Sequence, residues 1–193
     1  MKNKKQIVNF LFETGILGKT PRSGFYFLGS GEQSVAEHIS RVIFIGYTLS
    51  QLEPKANIGK VLQMCLLHDL HESRTSDLNY VHRKYTKSDE KRATEEIADT
   101  LPFGDDLVSI VDEFENNKTL EARLAKDADQ IEMILSLKEQ VDIGNTRAKT
   151  WLPSAIKRLQ TKTAKELARE IVKTSSDSWW FSNKKDSWWV NKK

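Results

Sequence analysis

The chain has 193 residues, 38% hydrophobic and 30% charged, with a formal net charge of +3. That length suits one domain with a sizeable core, or a domain plus a tail. The apolar runs are too short for a membrane span, and the small, dispersed charge argues against a nucleic-acid polymer as partner.

The single cysteine, Cys65, excludes an intramolecular disulfide and fits a reducing, cytoplasmic setting. Glycine and proline are scarce and strand-like alternation is nearly absent, so the elements read as helices. Residues 4–17, "KKQIVNFLFETGIL", predict the first. The basic start meets Glu13 and no small-residue cleavage site, so it does not read as a signal peptide. Residues 20–33 hold Pro21, Gly24, Gly29 and Gly31 and read as a loop. Ser34 followed by Glu37 is a capping box that starts a helix, which Pro54 ends. Asn57 caps a helix expected to run to about Glu72. Residues 73–86, "SRTSDLNYVHRKYT", read as a polar loop, and Ser88 opens a helix reaching about Thr100.

Pro102 and Gly104 break that helix, and residues 105–117 make another. Thr119 caps a long helix through about Val141. Residues 143–145 interrupt, and "TAKELAREIVKT" (163–174) is the last strong helix. Seven or so helices with short links predict an all-α fold, an irregular multi-helix bundle, over residues 1–174. Residues 175–193 hold the near-repeat "DSWWFSNKK", "DSWWVNKK" and four of the five tryptophans. That Trp/Lys-rich tail is expected to pack on its own domain or a second subunit, in preference to a membrane interface.

One constellation carries chemistry. Val35, His38, Val42, Ile45 and Leu49 form a single helical stripe, which turns His38 toward the core. By itself this fits a core histidine as well as a ligand. His68 and Asp69 end a helix that is apolar on most sides, where an ionised carboxylate costs several kcal/mol unless paired. A divalent cation would satisfy both residues and His38; a buried structural His–Asp pair is the alternative. Glu72 is one turn beyond His68. In "AKDADQIE", Asp127 follows Arg123 by one turn and reads as a surface ion pair. Asp129 shares its face with Ala122, Ala125, Met133 and Ser136 and is favoured as an oxygen ligand. Such a two-His, two-Asp set suits Mn, Fe, Co, Ni or Zn. His71 is expected on the far side of its helix end, His82 solvated, Arg74 at the surface and Cys65 in the packing.

These residues resemble the HD-domain metal-dependent phosphohydrolases. The stretches "RSGF", "SVAEHISRV", "LLHDLHESRTSDL", "EKRATEEIADTLP" and "RLAKDADQIEMIL", in that order, resemble the 5′-deoxynucleotidase branch over residues 10 to 172. The "HDxGK" of cyclic-di-GMP phosphodiesterases is missing from "HDLHE". The resemblance implies one divalent transition metal held by His38, His68, Asp69 and Asp129. It implies a nucleoside 5′-monophosphate substrate whose phosphate is oriented by Arg22, with Ser23 beside it. Glu72 would serve proton transfer or water positioning, and Asp77 catalysis or sugar binding. Asp77, Leu78, Asn79 and Tyr80 would line the nucleoside site, and the chain would form a homodimer. Ser76 departs from the family, which commonly has glycine there; a serine can make this turn if φ stays negative, and the departure bears on loop shape and substrate fit, not on the metal. The rivals are a cyclic-nucleotide or triphosphate hydrolase and a non-catalytic, metal-stabilised helical binding module.

Overall fold

A computed structural model describes residues 4–181. Twelve α-helical segments make up the described chain, and its sole β feature is an isolated bridge between Pro21 and Ser34. Helix α1 (Lys4–Thr14) runs into a 3₁₀ turn, Gly15–Gly18, and is followed by the short α2 (Phe25–Leu28). Helices α3 (Val35–Leu52) and α4 (Ile58–Leu67) come next, then the short α5 (Glu72–Thr75) and α6 (Tyr80–Tyr85). Helices α7 (Glu90–Ala98), α8 (Gly104–Asn116), α9 (Leu120–Asp142), α10 (Thr146–Lys157), α11 (Lys162–Lys173) and α12 (Ser178–Phe181) complete it.

Side-chain caps set most of the longer starts. Ser34 and Glu37 form the full capping box of α3. Asn57, Thr119, Asn145 and Thr161 each accept a backbone N–H in the first turns of α4, α9, α10 and α11. Such caps satisfy donors that the helix itself leaves unpaired.

Helix α9 packs against α3, α4, α10 and α11. Val42, Leu49, Met64, Leu124, Ile131 and Ile134 belong to the larger core. A second cluster joins Leu17, Val35, Ile39 and Leu70 to Ile97, Leu101 and Leu107. Helix α3 contributes to both, so His38 sits between Val35 and Ile39 of one core and Val42 of the other. The small residues Ala122, Ala125 and Ala128 are fully buried on α9 and permit close helix approach. Gly46 does the same for α3 and α4. A Cβ there would lie 2.5 Å from the Cys65 sulfur, so glycine is what lets the helix carrying His38 close on the one leading to His68.

Several boundaries differ from the sequence expectation. The helix from Asn57 stops at Leu67, and His68, Asp69 and Leu70 form a turn before α5. Residues 73–86 are not one loop: they contain most of α5 and all of α6. The loop at 20–33 contains α2. Helix α7 begins after Asp89, whose carboxylate caps Arg92 N–H, and not at Ser88. Helix α10 is not among the expected elements, and it carries Pro153 within it. Its buried face of Ala148, Leu152 and Ala155, packed on α9, outweighs the hydrogen bond that proline forfeits. Residues 182–193, most of the tryptophan tail, lie outside the described residues; within its start Trp179 is exposed.

Candidate active site

Three elements bring the ion-binding candidates together. His38 is one turn into α3, and His68 and Asp69 lie in the turn after α4. One donor atom from each of these three residues falls within 4.8 Å of the others. Asp69 Oδ2 is 3.5 Å from His38 Nε2 and 3.3 Å from His68 Nε2. Asp129, from α9, adjoins the cluster through His38: its Oδ1 is 3.2 Å from Nε2, off the line of a hydrogen bond.

The outer nitrogens of both rings are already committed. His68 Nδ1 donates to the Cys65 carbonyl at 3.0 Å, which fixes the tautomer that leaves Nε2 with its lone pair. His38 Nδ1 lies 2.7 Å from Glu132 Oε2. Both Nε2 atoms are buried without a hydrogen-bond partner. Two orphaned imidazole nitrogens aimed at a carboxylate are what a divalent cation would satisfy, so the residues fit one.

Glu132 was missed in the sequence. It is buried on α9, three residues after Asp129, and its Oε1 accepts from Arg41, Gln33 and Ser136. Burial opposes its charge. The hydrogen bond to His38, the His38 charge, Arg41 and Gln33 prevail and bring its pKa to about 2. Glu132 acts in return on His38. Burial and the Arg22 charge disfavour the imidazolium, yet Asp129 and Glu132 lift its pKa to about 9. Histidines aligned by an outer carboxylate are a recurrent feature of metal sites. No pattern within α9 signals this role, which comes from His38 and Arg41 on α3.

Asp127 also departs from expectation. It is buried, and its carboxylate accepts from Gln160 N, Thr161 N and Thr161 Oγ1, holding the start of α11. It has no part in the cluster.

Arg22 reaches the cluster from the loop before α2. Its backbone N–H donates to the Gln33 carbonyl, and Val35 N–H donates to Thr20. These bonds pin the loop to the start of α3. Arg22 Nη1 donates to Asp69 Oδ2 at 3.2 Å, and Nε lies 3.6 Å from Asp77 Oδ2. Burial opposes the guanidinium charge, but Asp69 and Asp77 hold it firmly protonated. Glu72 is buried at the start of α5 with Oε2 unpartnered. Burial first, then the Asp69 and Asp77 charges, raise its pKa to about 9.

Ser23 is buried and is not a wall of the cleft. Its N–H donates to Asp77 Oδ2 at 3.1 Å and its hydroxyl to the Asp77 carbonyl at 2.7 Å, while Asn79 Nδ2 donates to Ser23 Oγ at 3.1 Å. Ser76, just before Asp77, has φ 60° and ψ 162°, against the negative φ expected. Asn79 caps α6, and Tyr80 is exposed. His71 lies outside the cluster, buried, with Nε2 3.8 Å from Glu90; Arg74 pairs with Glu13 and Glu96; His82 is exposed.

One cleft connects these groups. Arg22, Asp69, Glu72, Asp77 and Asp129 line one part of it, and Phe25, Leu28, Tyr80, Met133 and Trp151 line another. It therefore offers charge to one part of a ligand and flat apolar surface to another.

The chain is similar to several known proteins. A 5′-deoxynucleotidase HDDC2 of Dictyostelium discoideum is 37% identical over 119 residues, 55% of this chain and 62% of that protein. The chain thus spans less than two thirds of that relative's length. The bovine (Bos taurus) 5′-deoxynucleotidase HDDC2 is 26% identical over 150 residues, covering 75% of this chain and 72% of the relative. A solved structure of a conserved hypothetical protein from Pyrococcus furiosus superposes with a TM-score of 0.75 at 25% identity, over 86% of this chain and 99% of the other. The HD-domain profile matches residues 14–172, from the 3₁₀ turn's approach to the last turn of α11, and takes in every member of the cluster. On that match the chain belongs to the HD-domain family.

Proposed function

We propose that this chain is a metal-dependent phosphomonoesterase that hydrolyses nucleoside 5′-monophosphates to nucleoside and phosphate, with 2′-deoxy substrates preferred. The observation that carries the reading is one cleft in which Asp69 of the ion-ready triad, the Arg22 guanidinium, the buried Glu72 carboxyl and aromatic walls meet. Two relatives named as 5′-deoxynucleotidases support the substrate class.

A cation held by His38, His68, Asp69 and Asp129 would polarise the phosphoryl oxygens and lower the pKa of a bound water. The chain supplies the rest. Arg22 presents guanidinium N–H groups to the phosphate, and its attachment to Asp69 and Asp77 orients it before substrate arrives. Burial and two neighbouring carboxylates raise the Glu72 pKa, which suits it to hold a proton and deliver it to the leaving 5′-oxygen. Phosphomonoester hydrolysis asks mainly for charge stabilisation and positioning, and no covalent intermediate is needed. Phe25, Met133 and Trp151 offer the base a flat apolar seat. The reading includes a cytoplasmic setting, supported by the buried lone thiol of Cys65, and a homodimer, supported by family resemblance alone.

The test is phosphate release from each deoxynucleoside 5′-monophosphate with added Co²⁺ or Mn²⁺. Turnover by the wild type and its loss in Asp69→Ala are expected. An inactive wild type, or a fully active Asp69→Ala, would sink the reading. Products from cyclic nucleotides or triphosphates alone would assign the cleft to those substrates instead.

A further inference from the structure

The two loops that carry Arg22 and Asp77 are fastened to each other at one residue. Ser23 makes three hydrogen bonds across the gap: its N–H to the Asp77 carboxylate, its hydroxyl to the Asp77 carbonyl, and its Oγ as acceptor from Asn79. It is buried, and every polar group it owns except its own carbonyl is spent on the opposite loop.

The residue that precedes Asp77 needs such a fastening. Ser76 combines φ 60° with ψ 162°. That region of backbone space is essentially reserved for glycine, because a Cβ crowds the backbone there. A side chain persists in it only where surrounding contacts over-determine the backbone. Ser76 N–H donates to the Glu72 carbonyl on one side. On the other, Asp77 is held at both carboxylate and carbonyl by Ser23. The strained residue thus separates two groups that face the cleft, Glu72 and Asp77.

We propose that Ser23 is a positioning residue: by clasping Asp77 it keeps Ser76 in a conformation that a serine resists, and so presents Asp77 to Arg22 in the cleft. The functional half of this inference rests on the phosphomonoesterase reading; the structural half does not. Without the clasp, the 76–78 segment relaxes toward negative φ, the Asp77 carboxylate turns from the Arg22 guanidinium, and the arginine loses one of its two anchors.

The experiment is a double-mutant cycle between Ser23→Ala and Ser76→Gly, read by turnover of deoxynucleoside 5′-monophosphates and by thermal unfolding. In the otherwise native chain, Ser23→Ala, which removes both hydroxyl bonds and leaves only the backbone N–H on the Asp77 carboxylate, lowers kcat/KM about tenfold. In the Ser76→Gly background the same change costs no more than about twofold, because glycine adopts this conformation without being held. Ser76→Gly alone raises Tm, and the Tm loss from Ser23→Ala is smaller in that background. Equal penalties in the two backgrounds, or no penalty in either, would overturn the clasp. If the wild type shows no turnover, the phosphomonoesterase reading falls, and the Tm cycle alone decides the clasp: coupling upholds it, additivity overturns it.

Discussion

His38 Nδ1 lies 2.7 Å from Glu132 Oε2, and both groups are almost wholly removed from solvent. The bond joins α3 to α9 across 94 residues of sequence and turns the imidazole so that Nε2 faces Asp69 and Asp129. Glu132 in turn is held by Arg41, Gln33 and Ser136. The orientation of one candidate metal ligand therefore depends on four further side chains from α3, α9 and the preceding loop.

Glu132→Gln keeps the size of the side chain but removes the charge that favours the Nδ1-bound orientation. Loss of such an outer carboxylate costs roughly 10–100-fold in metal affinity. Titration calorimetry with Co²⁺ or Mn²⁺ is expected to read a weakening in that range, with the helical circular dichroism retained. Wild-type affinity would mean that packing alone orients His38.

Much of this was legible because it was local. The capping box of α3, the stripe that turns His38 inward and the small face of α9 are patterns within one helix, and each appears in the structure. What escaped depends on partners distant in sequence. A carboxylate at position 127 looks like half of a surface pair with Arg123 until α11 is folded onto it, 33 residues on. Glu132 has no local reason to be buried, and its meaning comes from His38 and Arg41. Helices α5 and α6, four and six residues long, are too short to show a period. Ser76 could not be read because a left-handed serine is imposed by its surroundings and not by its own preference.

The Asp127 finding predicts a stability effect. Asp127→Ala leaves the N–H groups of Gln160 and Thr161 and the Thr161 hydroxyl without their acceptor. Removing one partner of buried hydrogen bonds costs about 1–3 kcal/mol. For a chain of this size each kcal/mol is worth roughly 2–4 °C. A fall in Tm of about 2–12 °C is expected by scanning calorimetry. A shift under 1 °C would return Asp127 to the surface role its sequence neighbours suggest.

Helix α1 buries no residue fully, and Glu13 ties it to the rest through Arg74 and Ser73. The hydrogen bond from Arg74 lowers the Glu13 pKa against the opposing effect of burial. A carboxyl whose pKa is lower folded than unfolded stabilises the fold above its unfolded value. That contribution fades as pH falls through the folded value. Glu13→Gln should therefore be less stable than wild type at pH 7, by about 0.5–1 kcal/mol for a partly exposed pair. The gap should narrow between pH 7 and a pH below the ordinary glutamate value. Urea titrations at the two pH values measure it, and a gap that widens in acid would contradict the pairing.

Arg22 bears most directly on the chemistry. Its Nη1 donates to Asp69 while its Nε faces Asp77, so the guanidinium plane is set by two carboxylates on different loops. A lysine at this position keeps the charge but offers one ammonium on a flexible stem, and it cannot satisfy both anchors while presenting a planar fork to a phosphate. If Arg22 stabilises charge on the phosphoryl group, Arg22→Lys should lower kcat/KM roughly 10²-fold, in the range found when one preorganised donor to developing charge is removed. The loss should fall on kcat as well as KM, since the fork acts on charge that grows in the transition state. Steady-state phosphate release, with Tm measured alongside to exclude unfolding, separates the cases. Activity within twofold of wild type would take Arg22 out of phosphate recognition and leave it as a tie between Asp69 and Asp77.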